Sequence, residues 1–387
     1  MKIDPTGIRL SATDLSNHLA CRHLTSLDLS VARKERTPPD WRSPDLFVIQ
    51  ELGLRHESDY LNFLRQKGAS VEDLRGVQNE EQALLQTRLC MERGTEIIAQ
   101  GSLTVGRWFG RPDVLQKVPK PSRFGRWSYE VYDCKLAQET KAATILQLAL
   151  YSAVLTEIQG EEPEFMYVVP AGRGYETERY RLADYAAYYR YVKAQLEKAC
   201  GEQQGEVTYP EPCVHCDVCR WFRECDLRRR ADDHLSLVAG VNRLQRKQLH
   251  VWQTDTMADL AVLPTPLQQK PVHGSKDGYE RIREQARVQV AARVHQAPVY
   301  ELLPASAGAG FYRLPEPSPL DIFMDLEGDP FAADGGRQYL FGFATSDIAV
   351  LLYQKRWCFK PDEEKQAFEW IVDEIMRKWN AAPKMHV

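Results

Sequence analysis

Four cysteines lie within thirteen residues of this 387-residue chain, in the segment YPEPCVHCDVCRWFRECDL. They are Cys213, Cys216, Cys219 and Cys225, and they form the pattern C-x2-C-x2-C-x5-C. Thiols clustered in this way favour a bound metal or cluster over disulfides in a cytoplasmic protein. The spacing suits four local thiolates around Zn²⁺. It equally suits three of them with a distant cysteine around a 4Fe–4S cluster.

The composition and the first residues predict a cytoplasmic protein with no membrane association. No apolar run approaches the ~18 residues of a membrane span, and MKIDPTGIRLSATDL lacks the basic and apolar segments of a signal peptide. The net charge is −4, so a nucleic-acid binder of this composition must concentrate its positive charge locally. The run from Arg228 to Arg230 is one such place, although a solvated helix face explains so short a run at least as well.

The hydrophobic pattern predicts an α/β protein in three parts: residues 1–230, 231–313 and 314–387. The first part alternates helical and strand-like segments, and the second reads as a helical linker. Within it, residues 234–263 are similar to helix-hairpin-helix units, which hold nucleic-acid phosphates. Val251 and Trp252 stand where such a hairpin needs glycine, so a plain helical spacer fits nearly as well. The segments predicted for the first part are a helix over Leu46–Gln66, strands over Ser102–Val114 and Trp127–Lys135, a helix over Thr140–Ile158, a strand over Glu164–Val169 and a helix over Ala183–Ala199.

Three residues of the first part carry the chemistry of phosphodiester hydrolysis. Asp113 ends a strand-like run in GRPDVL, and Asp133 and Lys135 share one face of the strand in WSYEVYDCKLA. Two carboxylates from adjacent strands can hold Mg²⁺ or Mn²⁺, and a nearby lysine can stabilise charge in the transition state. Taken alone, these residues are explained better by a surface ion pair.

The following helix changes that interpretation. TKAATILQLALYSAVL carries Gln147 and Tyr151 four residues apart on one face, and most of its other residues are apolar. The order P-D, D-x-K and Q-x-x-x-Y resembles the RecB-like branch of the PD-(D/E)xK nucleases, over about residues 10–230. The resemblance implies a restriction-endonuclease-like core. It also implies that Gln147 and Tyr151 contact DNA or support the metal site.

The same resemblance assigns roles to the upstream residues. ELGLRHESDYL places His56 and Glu57 on a predicted helix, as the family's histidine motif does. His56, Asp113, Asp133 and the backbone carbonyl of Cys134 then correspond to metal ligands, and Lys135 to the catalytic lysine. Asp133 stands where many members have glutamate, which shortens the ligand by one methylene and keeps its chemistry.

The resemblance also bears on the cysteines. RecB-like nucleases with a 4Fe–4S cluster have one cysteine near the N-terminus and C-x2-C-x5-C after the nuclease core. Cys21 fits the distant position, and Cys216, Cys219 and Cys225 fit the local spacing. Cys213 is then surplus, which keeps zinc or another ligand set open. The implied cluster is a structural staple between the first helices and the last segment of the domain.

The third part, DIFMDLEGDPFAADGGRQYLFGF, places Asp325 and Glu327 on one face of a strand. This D-x-E resembles the first motif of RNase H-like exonucleases. The pairing with a RecB-like domain is typical of one bacterial RecB-like nuclease family, whose members can also carry a helicase. Such exonucleases need about four carboxylates around two metal ions, so we expect a partial, inactive domain. Its elements are predicted as strands over Asp321–Leu326, Tyr339–Thr345 and Ile348–Gln354, a helix over Glu363–Asn380, and the opening of a further strand in PKMHV.

The sequence therefore predicts a metal-dependent nuclease that acts on single-stranded or end-containing DNA in repair or recombination. Two rivals stay open at this stage. One is a non-catalytic DNA-binding module that positions a helicase, and the other is a zinc-stabilised RNA-processing nuclease.

Overall fold

The structure is a computed structural model that describes residues 1–5, 7–41, 44–201, 208–332, 336–347 and 350–387. These residues form a mixed α/β protein, as predicted. The helices are α1 (Ala12–Ala20), α2 (Arg22–Ala32), α3 (Pro44–Gln66), α4 (Glu80–Arg93), α5 (Ala142–Gln159), α6 (Leu182–Ala199), α7 (Phe222–Ala231), α8 (Arg243–Val251), α9 (Met257–Ala261), α10 (Lys276–His295) and α11 (Pro361–Ala381). The strands are β1 (Lys2–Asp4), β2 (Gly7–Arg9), β3 (Val71–Asp73), β4 (Ile97–Ala99), β5 (Leu103–Val105), β6 (Trp108–Gly110), β7 (Val114–Val118), β8 (Ser128–Lys135), β9 (Phe165–Pro170), β10 (Glu178–Arg181), β11 (Ile322–Asp329), β12 (Arg337–Asp347) and β13 (Val350–Trp357).

The chain divides into two compact units. The first comprises Met1–Asp133, Thr140–Val168 and Arg179–Leu302. The second comprises Cys134–Glu139, Val169–Glu178 and Leu303–Val387. This division rests on compactness alone, and the three domains predicted from the sequence stay a prediction.

A six-stranded mixed sheet runs in the order β10-β9-β8-β7-β4-β3. β3 and β4 are parallel, whereas β7 is antiparallel to both β4 and β8. The pairing of Val114 with Tyr132 and of Leu115 with Val131 fixes the register of β7 against β8. This register places the residue before Val114 opposite the residue after Tyr132.

Helix α5 is the central helix of the core. Eleven of its residues are buried, including Leu148, Ala149 and Leu155, and it ends at Gly160, whose φ of 70° suits glycine. By length and apolar composition α5 could also cross a bilayer. Its burial among the other core residues is that of a helix at the centre of a folded protein.

The first two helices meet at Cys21, which ends α1 and precedes α2. Ser11 and Asp14 form a capping box at the start of α1, and the Met1 ammonium lies 2.6 Å from Asp14. Leu24 and Leu27 of α2 form a small apolar cluster with the fully buried Trp221, which comes just before α7. Residues about 195 positions apart in the chain therefore pack together.

The predicted linker has a core of its own. α8 and α9 are the two short helices expected for residues 234–263, and α10 packs against α9. Leu249, Leu260, Tyr279 and Ile282 are among the buried residues of this core. The segment is thus a packed helical subdomain, and its likeness to helix-hairpin-helix units stays a prediction.

In the second unit, β11, β12 and β13 form an antiparallel sheet, and α11 follows β13. Phe341, Phe343, Ala367 and Ile371 are among the residues of its core. The predicted strand at PKMHV is wrong, because no strand forms there. The His386 carbonyl accepts a hydrogen bond from the Ile322 N–H at 2.9 Å, and the His386 N–H donates to Asp321 Oδ1 at 2.7 Å. Ile348, where the third predicted strand begins, lies outside the described residues.

Candidate active site and cysteine cavity

Two aspartates meet where β7 and β8 pair. Asp113 immediately precedes β7, and Asp133 lies near the end of β8, so the register brings them side by side. Asp133 is fully buried, whereas Asp113 is half-buried. The structure therefore brings together the two carboxylates that the sequence selected.

One face of α5 lies against Asp133. The Gln147 amide donates to Asp133 Oδ1 at 3.2 Å and to the Tyr151 hydroxyl at 3.4 Å. Burial, and then the negative charge of Asp133, raise the pKa of Tyr151 well above its usual range. Tyr151 therefore stays a neutral hydroxyl at any physiological pH, and it can donate a hydrogen bond toward an anionic group.

The Tyr151 ring packs against Gly110, where only a residue without a Cβ leaves room for it. A Cβ at position 110 would lie 2.3 Å from Tyr151 Cε1, closer than any real contact. Gly110 ends β6, so the short β5–β6 hairpin presents bare backbone to the aromatic ring. The sequence had predicted one strand over Ser102–Val114. That prediction was wrong, because a turn divides the segment into this hairpin and the separate strand β7.

Gln100 joins Asp113 to a second acidic residue, Glu57 of α3. Its amide donates to Glu57 Oε1 at 3.0 Å and to Asp113 Oδ1 at 3.1 Å. Gln100 adopts a left-handed backbone with φ of 52°, and its N–H donates to the Asp113 carbonyl at 2.9 Å. The Arg111 guanidinium holds this turn through the Gln100 carbonyl at 3.2 Å and the Leu74 carbonyl at 3.0 Å.

Glu57 is a buried carboxylate with a neighbouring charge. Its side chain is 7% exposed, and the Arg75 guanidinium lies 3.4 Å away. Burial, and then the charge of Asp113, raise the pKa of Glu57 above its usual value. The Asp113 charge thus disfavours the ionisation of Glu57, and a bound cation would offset this repulsion.

The remaining residues assigned by resemblance lie close by in sequence. His56 is half-buried in α3, one residue before Glu57, so the two side chains leave the helix about 100° apart. Cys134 and Lys135 are the last two residues of β8, and both are half-buried. The roles of His56, Cys134 and Lys135 stay predictions.

The acidic side chains offer the oxygen ligands that a hard divalent cation prefers. Glu57, Asp113 and Asp133 offer carboxylate oxygens, the ligands that Mg²⁺ and Mn²⁺ prefer. As placed, no set of three or more His, Cys, Asp or Glu side chains in the described ranges is arranged to hold a metal ion. The Gln100 amide donates one hydrogen bond to Glu57 and one to Asp113. A bound cation would replace these hydrogen bonds and compensate the negative charge of the two carboxylates.

All five cysteines of interest line one small cavity. Cys21 enters it from the α1–α2 junction, and Cys213, Cys216, Cys219 and Cys225 enter it from the segment that leads into α7. The Cys213 and Cys216 sulfurs lie 3.9 Å apart. The structure thus brings the distant cysteine to the local cluster, and it places Cys213 there as well.

Burial makes these thiols reluctant to ionise. It raises the pKa of Cys213 to about 11 and that of Cys225 to about 12, and it raises the pKa of Cys219. Neighbouring sulfurs add to each shift. Thiolates so close together require a compensating positive charge, which bound iron or zinc would supply. The 4Fe–4S cluster and the zinc alternative both stay predictions, because the thiols as placed form no group of three or more metal ligands in the described ranges.

The arginine run beside this cavity is internally neutralised. The Arg228 side chain contacts Asp232 at 2.6 Å, and that of Arg230 contacts Asp226 at 2.7 Å. Arg229 is buried and donates to the Pro210 carbonyl at 3.1 Å. The run is therefore part of the structure around α7 and not a basic patch.

The second pair of predicted carboxylates lies on an exposed strand. Asp325 and Glu327 belong to β11, where they pair with Gly342 and Leu340 of β12. Both side chains are exposed, and a register shift follows Glu327. The RNase H-like assignment of this part stays a prediction.

The sequence missed Gln100 and Gly110, and it gave Glu57 no role. Nothing in a single sequence marks a left-handed glutamine or a glycine that faces a tyrosine ring. Glu57 had one signal, its position next to the motif histidine. A scan against models of protein families and a search of curated proteins each find no match for this chain.

Proposed function

We propose that the chain is a metal-dependent nuclease that hydrolyses phosphodiester bonds of DNA. The observation that carries this proposal is the convergence of Asp113 and Asp133 at the paired ends of β7 and β8, beside Gln147 and Tyr151 of α5. Carboxylates and neutral donors at one place are what this hydrolysis needs. The arrangement of β4, β7, β8, α5 and β9 is compatible with a PD-(D/E)xK core.

In this proposal Asp113, Asp133 and Glu57 hold Mg²⁺ or Mn²⁺, with His56 and the Cys134 carbonyl as further ligands. A bound divalent cation polarises the phosphodiester and helps to form hydroxide from water. Gln147 holds the Asp133 carboxylate and the Tyr151 hydroxyl in place, and Tyr151 donates toward a phosphate oxygen. Lys135 stabilises negative charge that develops on the phosphate.

The five-cysteine cavity takes a structural role in the same proposal. A 4Fe–4S cluster on Cys21, Cys216, Cys219 and Cys225 ties α1 and α2 to the segment before α7. Zinc is the alternative occupant, with Cys213 as a local ligand. Substrates are single-stranded or end-containing DNA, the compartment is the cytoplasm, and a helicase is a candidate partner.

The test is a cleavage assay on end-labelled single- and double-stranded DNA with Mg²⁺ and Mn²⁺, using protein purified without oxygen. Asp113→Asn, Asp133→Asn and Lys135→Ala should each lower the rate by ~10³-fold or more, because the transition state loses several kcal/mol of stabilisation. Circular dichroism should show that each variant stays folded.

The matched control is Asp325→Asn combined with Glu327→Gln, which also removes acidic charge from a strand. This double variant should cut at the wild-type rate. Wild-type cleavage by all three site variants would contradict the proposal. DNA binding with no metal-dependent cleavage by the wild-type protein would favour a module that positions a helicase, and a preference for RNA would favour the RNA-processing rival.

A further inference from the structure

A cavity of about 410 Å³ opens beside α8, in the helical subdomain of the first unit. Arg243, Arg246, Lys247 and His250 all line it. Their spacing of three, four and seven residues places them on one face of the helix. The chain's net charge is −4, so this is the local concentration of positive charge that a nucleic-acid binder of this composition needs.

The cations of this face are only partly neutralised. Two carboxylates also line the cavity: Glu211 lies 2.7 Å from the Arg246 guanidinium, and Asp255 lies 2.5 Å from the His250 ring. Arg243 and Lys247 are exposed and form no ion pair with any carboxylate of the described ranges. Two uncompensated cations therefore line the cavity one helical turn apart. The arginine run of α7 differs in this respect, since its exposed members are paired with aspartates.

Arg246 brings a buried donor without a partner to the side of the cavity. Its side chain is nine-tenths buried, and its Nε–H has no hydrogen-bond partner among the described residues. A buried donor without a partner costs about 1–3 kcal/mol. An anionic oxygen that enters the cavity, with a small turn of the guanidinium, would remove this cost.

An aromatic wall faces the same space. Tyr209 and His234 both line the cavity, and their ring centroids lie 4.8 Å apart at an angle of 35°. The Tyr209 hydroxyl donates to Asp232 Oδ2 at 3.0 Å, which fixes the ring. Fixed aromatic rings beside cations are the elements with which proteins hold single-stranded bases and their phosphates.

We propose that this cavity binds one nucleotide unit of a single-stranded nucleic acid. Its phosphate contacts Arg243 and Lys247, with Arg246 beneath it, and its base stacks on Tyr209. The choice of a strand over a free nucleotide rests on the proposed nuclease function. The volume of about 410 Å³ is in the range of small-molecule sites and holds one such unit.

The test measures binding of a labelled single-stranded DNA by fluorescence anisotropy, in EDTA so that no cleavage occurs. Arg243→Glu with Lys247→Glu should raise Kd about tenfold or more and lower the slope of log K against log salt by about 1.4, because two phosphate contacts are lost. Tyr209→Leu should raise Kd about fivefold through lost stacking, with a smaller change in the slope.

The matched control is Lys270→Glu with Arg281→Glu, two exposed basic residues of the same subdomain outside the cavity. This variant carries the same change of charge and should bind DNA within about twofold of wild type, since surface charges outside the site add only screened attraction. Equal losses in the two double variants would overturn the proposal. A second outcome would also overturn it: the cavity variant binds DNA as wild type does but loses affinity for a nucleoside 5′-monophosphate or inorganic phosphate. That result would identify a site for a free nucleotide or free phosphate.

Cleavage by the wild-type protein and by Asp133→Asn, measured separately, distinguishes the two proposals. Cavity-dependent binding without Asp133-dependent cleavage overturns the nuclease and leaves the nucleotide site. Asp133-dependent cleavage with wild-type binding by the cavity variant overturns the nucleotide site alone.

Discussion

Gln100 is the residue on which the acidic site depends most. Its single amide group donates to both Glu57 and Asp113, and its left-handed backbone directs it there. Non-glycine residues adopt this conformation rarely, and they do so mostly where the surroundings compensate the strain. Here the compensation comes from Arg111, which binds the Gln100 carbonyl.

Substitution of Gly110 tests whether cleavage depends on the position of the Tyr151 ring. Gly110→Ala should displace the Tyr151 ring, because its Cβ would lie 2.3 Å from Tyr151 Cε1. We expect cleavage to fall by about tenfold or more, since a misplaced group close to the chemistry costs that much. The measurement is kcat for DNA cleavage beside a thermal melt.

The control for this variant is Gly76→Ala, where an added Cβ meets nothing within 4 Å. It should leave kcat unchanged. If Gly110→Ala also cuts at the wild-type rate, then Tyr151 has no part in the reaction.

Glu57 gives a prediction about pH. Its folded pKa lies above the unfolded value, so the ionised carboxylate destabilises the metal-free protein at neutral pH. This penalty is full above the folded pKa and disappears as the pH falls below the unfolded value of about 4.3. Glu57→Gln should therefore unfold at higher urea than wild type at pH 7, and the advantage should vanish near pH 4.

Glu57→Gln should also lose metal-dependent cleavage. The same substitution would then raise stability and abolish activity. The exposed Glu72→Gln carries the same change of charge and should show no pH-dependent gain. If Glu57→Gln has a lower urea midpoint than wild type at pH 7, the ion pair of Glu57 with Arg75 outweighs the cost of burying the carboxylate.

At the scale of elements, the site is made by the register of β7 against β8 and by the face that α5 turns toward them. Hydrophobic periodicity predicted β8, α5, β9 and α6 to within two residues, because each has a long run with one clear period. It failed at 102–114, where β5 and β6 are three residues each and the turn between them carries little signal. It could not give a role to Gln100 or Glu57, because their contacts join segments distant in sequence.

The cysteine cavity gives a prediction at the same scale. Cys21→Ala should lower the iron content of protein purified without oxygen, weaken its absorbance near ~400 nm and lower its melting temperature, because the α1–α2 junction loses its bond to the cluster. Cys213→Ala should lose less iron.

The matched control is Cys134→Ala, since the resemblance uses only the backbone carbonyl of Cys134. This variant should keep both its iron and its cleavage activity. A colourless protein with one zinc per chain would identify the other occupant, and full iron retention by Cys21→Ala would point to the four local cysteines.

At the scale of the whole molecule, the chain last passes from the first unit to the second, between Leu302 and Leu303, within an exposed stretch. Residues 298–306 form no helix or strand, and Tyr300, Leu302 and Leu303 are each more than 80% exposed. Phe311 is 90% exposed. The segment contributes few contacts that would protect its backbone from a protease.

Limited digestion with chymotrypsin should therefore cut first between Tyr300 and Leu314, which mass spectrometry of the earliest fragments would show. Tyr191 is also exposed, but it lies inside α6 and should survive this stage. A first cut inside α6 would show that this helix opens more readily than the connecting stretch.

The distance in sequence between Cys21 and Cys225 has a consequence for synthesis. About 200 residues separate them, so at translation rates of about 5–20 residues per second Cys21 emerges roughly 10–40 s before Cys225. For most of that time the thiol cavity lacks four of its five sulfurs, and the pocket for Trp221 around Leu24 and Leu27 is unfilled. Until α7 has left the ribosome, Cys21 must stay reduced, and Leu24 and Leu27 must not associate with other chains. The last step in assembling the five-cysteine cavity is thus set by the order in which the chain is made.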